Sequence, residues 1–80
     1  MKGIIRYIKN DVCAIELENT FFVIYEDFLG MSDVDDVVSG NLESLGETNI
    51  RNESKNMDLI GFLDDIYLNE DEAKEKLENK

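Results

Sequence analysis

Three short runs of β-branched and aromatic residues fill most of the first 25 positions, and two-residue turn signals separate them. That punctuation constrains the fold most. Runs of six or seven residues are too short for stable helices, and Val, Ile, Tyr and Phe favour a pleated, half-buried surface. The first run is 3–9, with Ile4, Arg6 and Ile8 expected on one face and Ile5 and Tyr7 on the other. Asn10-Asp11 then marks a tight turn, since both residues tolerate left-handed backbone. The second run, 12–17, puts Cys13, Ile15 and Leu17 on one face and Glu16 on the other. After Glu18-Asn19 the third run, 20–25, has Phe22 and Ile24 on one face and Phe21, Val23 and Tyr25 on the other. Both faces are apolar, so this strand is expected to be covered on both sides.

The remaining strands are less regular. Residues 26–36 read as a connection in which Phe28, Leu29 and Met31 plug the end of a barrel and Gly30 allows a sharp exit. Strands are predicted at 37–42, interrupted by Gly40, at 47–51, and at 57–67, with Asp64-Asp65 bending the last. Residues 69–78 read as a helix. Asn69 and Glu72 have capping-box spacing, Leu68 is placed to staple onto Ala73, and acids precede lysines along the dipole. Glu70–Lys74 and Glu72–Lys76 are expected i,i+4 ion pairs, and Ala73 and Leu77 form a thin apolar stripe. The expectation is one mainly-β domain over 1–80: a small antiparallel barrel or twisted sheet of five to six strands (2–67), with a C-terminal surface helix.

Charge narrows the functions. The 80 residues carry 19 acidic and 8 basic side chains and no histidine, a net charge of -11. Residues 31–80 hold fourteen of those acids against five bases, a net -9. Such a field repels nucleic-acid phosphates and anionic membranes and favours basic partners. The single cysteine, Cys13, forms no intrachain disulfide and points to a reducing compartment, the cytoplasm by default. No apolar run is long enough to span a membrane, and the N-terminus lacks leader character.

Catalytic groups are scarce. Cys13 has no histidine partner and sits between apolar neighbours, which makes a thiol inert. Asp33, Asp35 and Asp36 lack the spacing of a calcium loop and read as a solvated turn. Asp64 and Asp65 are adjacent on a strand and so are expected to face opposite ways, which excludes a carboxylate pair. The seven aromatics, Tyr7, Phe21, Phe22, Tyr25, Phe28, Phe62 and Tyr67, read as core before they read as a base-stacking platform.

Gly3 opens the first strand, turn-linked strands follow, and Asp36-Val37-Val38-Ser39-Gly40 stands before a later strand. Over residues 3–43 this order resembles the small barrels of the OB-fold type, as in ribosomal-protein-type and cold-shock RNA-binding domains. Those often carry a Gly-Asp-x-Val run at that place; here Asp35 stands where the glycine would be. In composition alone the chain is also similar to small acidic proteins of bacteria and phages. The resemblance implies a barrel fold and, as one alternative, a single-stranded nucleic-acid binder using Arg6, Tyr7, Lys9 and an exposed Phe.

The function expected first is a non-enzymatic, cofactor-free adaptor, inhibitor or regulator. It would dock on another protein's basic surface through acids among Asp33, Asp35, Asp36, Glu43, Asp58, Asp64 and Asp65. A third possibility is a self-associating piece whose free edge strand joins two copies, so that the chain is a monomer or a homodimer.

Overall fold

The computed structural model describes residues 1–80 and shows a closed antiparallel barrel with one helix on its flank. The strands are β1 (Lys2–Lys9), β2 (Val12–Leu17), β3 (Phe22–Asp27), β4 (Val37–Ser39), β5 (Gly46–Asn52) and β6 (Met57–Leu68), followed by α1 (Glu70–Glu78). They run round the barrel in the order β1-β2-β3-β6-β5-β4, and β4 closes onto β1. Two three-stranded meanders thus meet at β3–β6 and at β4–β1. The closed six-strand antiparallel barrel is consistent with an OB-like barrel.

The first turn is as its residues require: Asn10 and Asp11 both take positive φ, 51° and 63°, the combination a twisted two-residue hairpin needs. β2 and β3 alternate as expected. Cys13, Ile15, Leu17, Val23 and Tyr25 fill the barrel. Val12, Ala14, Phe22 and Ile24 form a second, outer cluster, covered by Ala73 and Leu77 of α1. The thin apolar stripe of the helix is therefore fully used: Ala73 is buried, Leu77 nearly so, and Leu68 joins them. The capping box is complete, with Asn69 Oδ1 accepting from the Glu72 amide at 2.8 Å and Glu72 Oε1 accepting from the Asn69 amide at 2.9 Å.

β1 departs from simple alternation. Ile5 pairs with Ile15 but Tyr7 pairs with Ala14, so Arg6 is an extra residue on β1. The bulge shifts the faces. Ile5 and Ile8 turn to the interior, Tyr7 packs on the outer cluster, and Ile4 is left exposed. β3 starts two residues later than its composition indicates. Thr20, at φ 73°, still belongs to the turn, whose ends are tied by bonds from the Thr20 amide to Leu17 O and from the Leu17 amide to Phe21 O.

The plug of the barrel is not the one expected. Phe28, Leu29 and Met31 are exposed, whereas Leu42, in the loop after β4, is completely buried in the core. The buried Asp27 carboxylate explains the first half. It accepts from the Leu29 and Met31 amides and from Ser32 Oγ, all within 3.0 Å, and so ties this connection into a tight surface turn. β4 is correspondingly short: it ends at Ser39, and Gly40 (φ 142°) lies against Ile50 as the chain turns Leu42 inward.

Three residues of β4 make a brief ladder, and polar side chains complete the closure. Asp36 Oδ2 accepts from the Asp33 amide (3.0 Å), from Asn52 Nδ2 (2.8 Å) and from Lys55 Nζ. Asn52 is fully buried and its Oδ1 takes the Lys55 amide at 3.0 Å. Ser54 Oγ accepts from the Val37 amide, and Ser39 Oγ donates to Glu53. Burial pushes the Asp36 carboxyl up. The bonds from Lys55, Asn52 and the Asp33 amide outweigh it and hold the group below its ordinary 3.8. A carboxyl depressed by folding adds stability that is complete above its unfolded value and is lost as pH falls through the folded one. Acidification below about pH 4 is therefore expected to destabilise the wild type more steeply than Asp36→Asn. Urea midpoints measured at about pH 7 and about pH 3 check this, and parallel acid losses in the two proteins would refute it.

Candidate interaction face

The seven acids nominated by sequence do not form one surface. Asp33 and Asp36 share Lys55, with Asp33 Oδ2 2.7 Å from its Nζ. Asp58 is 3.1 Å from Arg51, Asp64 is 2.9 Å from Lys80 and Asp65 is 3.3 Å from Lys76. Only Asp35 and Glu43, both exposed, have no cation within ion-pair distance. The aspartates 33–36 serve mainly the barrel closure, with Asp35 on left-handed backbone (φ 76°) donating its amide to Ile5 O.

Adjacency on a strand predicts opposite faces for Asp64 and Asp65. An irregularity in β6, where Tyr25 pairs with Leu63 but Ile24 pairs with Asp65, breaks the alternation. Both carboxylates then come within reach of lysines four residues apart at the end of α1. The helix charges are likewise spent on the barrel and not on one another. Glu70 accepts from Tyr7 Oη at 2.6 Å, Lys74 lies 5.1 Å from the Tyr7 ring centroid, and Glu72 is engaged in the cap. The expected Glu70–Lys74 and Glu72–Lys76 pairs are absent for this reason.

The outer surface of β3–β6–β5 has a different character. Met57, Leu59, Gly61 and Leu63 of β6 point inward, which leaves Asp58, Ile60 and Phe62 outward. Registers fix their neighbours. Phe62 stands between Glu26 of β3 and Glu47 of β5. Ile60 stands opposite Asn49 on one side, and on the other its carbonyl accepts from the Phe28 amide at 2.9 Å. Phe28 is 59% exposed and Ile60 50% exposed, so the face presents bare apolar surface. Neither Glu26 nor Glu47 has an ion-pair partner. Lys80, whose charge is favoured by Glu26, is held at Asp64. The sequence named Phe28 and Phe62 among its aromatics, but nothing along the chain brings them together with Ile60, Glu26 and Glu47. Only the strand pairing does.

Cys13 is buried in the barrel, and burial, helped by Asp27, pushes its thiol up to about 12. Such a thiol is protonated at neutral pH and is a poor nucleophile. Tyr25 is buried and its phenol is pushed upward by the same desolvation, while its hydroxyl donates to Thr48 O at 2.9 Å. No group of three or more Cys, Asp or Glu side chains converges in a way that could hold a metal ion. No helix is long and apolar enough to cross a membrane.

Comparison with family models, with curated proteins and with solved structures finds no match for this chain.

Proposed function

We propose that this protein is a non-enzymatic, acidic interaction module, an adaptor, inhibitor or regulator, that docks on the basic surface of another protein. One observation carries the reading: on a chain of net charge -11, an apolar face of exposed Phe28 and Ile60 and half-buried Phe62 is flanked by the two unpaired glutamates Glu26 and Glu47. Ion pairs to the two glutamates and the long-range negative field hold a cationic partner and discourage anionic ones, and the apolar contact adds to them, so the affinity falls as salt screens the charges. The reading needs no cofactor, and its setting is a reducing compartment such as the cytoplasm, where a lone cysteine stays a thiol.

The nucleic-acid reading drawn from cold-shock and ribosomal-type barrels finds less support. Arg6 is 2.8 Å from Glu16, Lys9 donates to Glu78 O at 2.7 Å, and Tyr7 is held between Glu70 and Lys74. Each of its three named residues is occupied by its own chain. Joining two copies through an edge strand is also disfavoured, because closure gives every strand a neighbour on both sides.

The test is an affinity column of the immobilised protein, loaded at low salt with separated basic and acidic protein fractions. Basic proteins are expected to be retained and to elute below about 0.5 M salt, where the screening length is only a few Å. Retention that ignores protein charge, or that survives high salt unchanged, counts against the reading.

A further inference from the structure

We infer that the occupant of the β3–β6–β5 face is a basic amphipathic helix lying across the strands, with cations at i and i+7 and apolar side chains at i+3 and i+4. This deepens the function proposed above and rests on it. Glu26, Phe62 and Glu47 form a single cross-strand row, with Phe62 in the middle. Neighbouring strands lie about 4.8 Å apart, so the two glutamates are separated by about 10 Å. A helix rises 1.5 Å per residue, so positions i and i+7 on one of its faces are about 10.5 Å apart. Cations placed there meet both carboxylates. The residues between them, i+3 and i+4, fall over Phe62 and toward Ile60 and Phe28 in the adjoining row.

An extended partner fits less well. Its side chains on one face recur about every 6.8 Å, so a pair falls short of the glutamates or overshoots them. It would also need a free sheet edge for backbone pairing, and β3 and β6, which carry Glu26 and Phe62, are paired on both sides. Anionic lipid and nucleic acid present the wrong charge to Glu26 and Glu47. The helix-in-groove mode, by contrast, reads i, i+3, i+4 and i+7 anchors, the pattern this row requires.

The experiment titrates the full ¹⁵N-labelled chain at low salt with two synthetic helical peptides of identical composition. One carries Lys at i and i+7 with Leu at i+3 and i+4. The other has the same residues scattered round the helix. The patterned peptide is expected to bind at least tenfold more tightly. Its amide shifts should be confined to residues near 26–28, 47–49 and 58–62. Glu47→Lys and Ile60→Asp are solvent-face changes that leave the core untouched, and each is expected to weaken the patterned peptide at least tenfold with an unchanged melting temperature. Equal binding of both peptides, or shifts centred elsewhere, overturns the helix and its face while leaving a basic partner in place. Binding of neither peptide, together with no retention of basic proteins on the column, removes both. Stronger shifts at this face from vesicles than from the patterned peptide overturn the helix in favour of a lipid surface.

Discussion

Gly61→Ala is expected to destabilise the barrel by about 3 kcal/mol or more, the upper part of the range for overpacking a core. A Cβ at this position would lie 2.0 Å from the carbonyl oxygen of Glu26 and 2.5 Å and 2.6 Å from Cζ and Oη of Tyr25. None of these atoms can yield cheaply. The carbonyl belongs to the β3 backbone, where Glu26 and Asp27 pair with Phe62 and Gly61. The Tyr25 ring is completely buried, and its hydroxyl reaches beneath β6 to bond Thr48 O on β5. Glycine is thus required because β3, β6 and the tyrosine crossing beneath them share one place. In a domain of this size such a loss lowers the melting temperature by more than about 12 °C. Thermal and urea unfolding report it, and an unchanged midpoint would mean that β3 and β6 do not approach in this way.

Leu42→Ala is expected to cost about 2–5 kcal/mol, as large-to-small changes do at sites that cannot collapse. Leu42 is fully buried although it belongs to no strand, and it packs in the barrel cluster with Ile5, Val38 and Ile50. The matched controls are Leu29→Ala and Met31→Ala, each expected to stay within about 0.5 kcal/mol because both side chains are exposed. Urea midpoints of the three variants decide the matter. A larger loss at Leu29 than at Leu42 would return the plug to the β3–β4 connection.

This contrast shows what was legible along the chain and what was not. Local signals were sound. Alternation in β2 and β3, the Asn10-Asp11 turn and the Asn69 cap each depend on residues within a few positions of one another, and each is found where its residues imply. Leu29 and Leu42 look alike in sequence. What separates them is Asp27, whose carboxylate draws the amides of Leu29 and Met31 into a surface turn, and Gly40, which lets the chain swing Leu42 inward. The bulge at Arg6 escaped for a related reason: one inserted residue inverts the faces after it without changing the local composition. The site was harder still. Acid density along the chain pointed to Asp33–Asp36 and Asp64–Asp65. The lysines that answer them come from distant positions, Lys55 and the end of α1, so their pairing is a tertiary fact. The unpaired glutamates Glu26 and Glu47 lie in ordinary strands and stand out only when Phe62 is seen between them.

The three-residue β4, held by Asp36, Asn52 and Lys55, has one more consequence. A cylinder whose staves are long everywhere but one has a built-in place to part. Fluctuations that open the molecule should begin there, leaving the two meanders joined along β3 and β6 as a curled open sheet. Amide protons of Val38 and Ser39 would then trade with solvent sooner than those of Val23 and Ile24, which lie on the far wall beneath the helix.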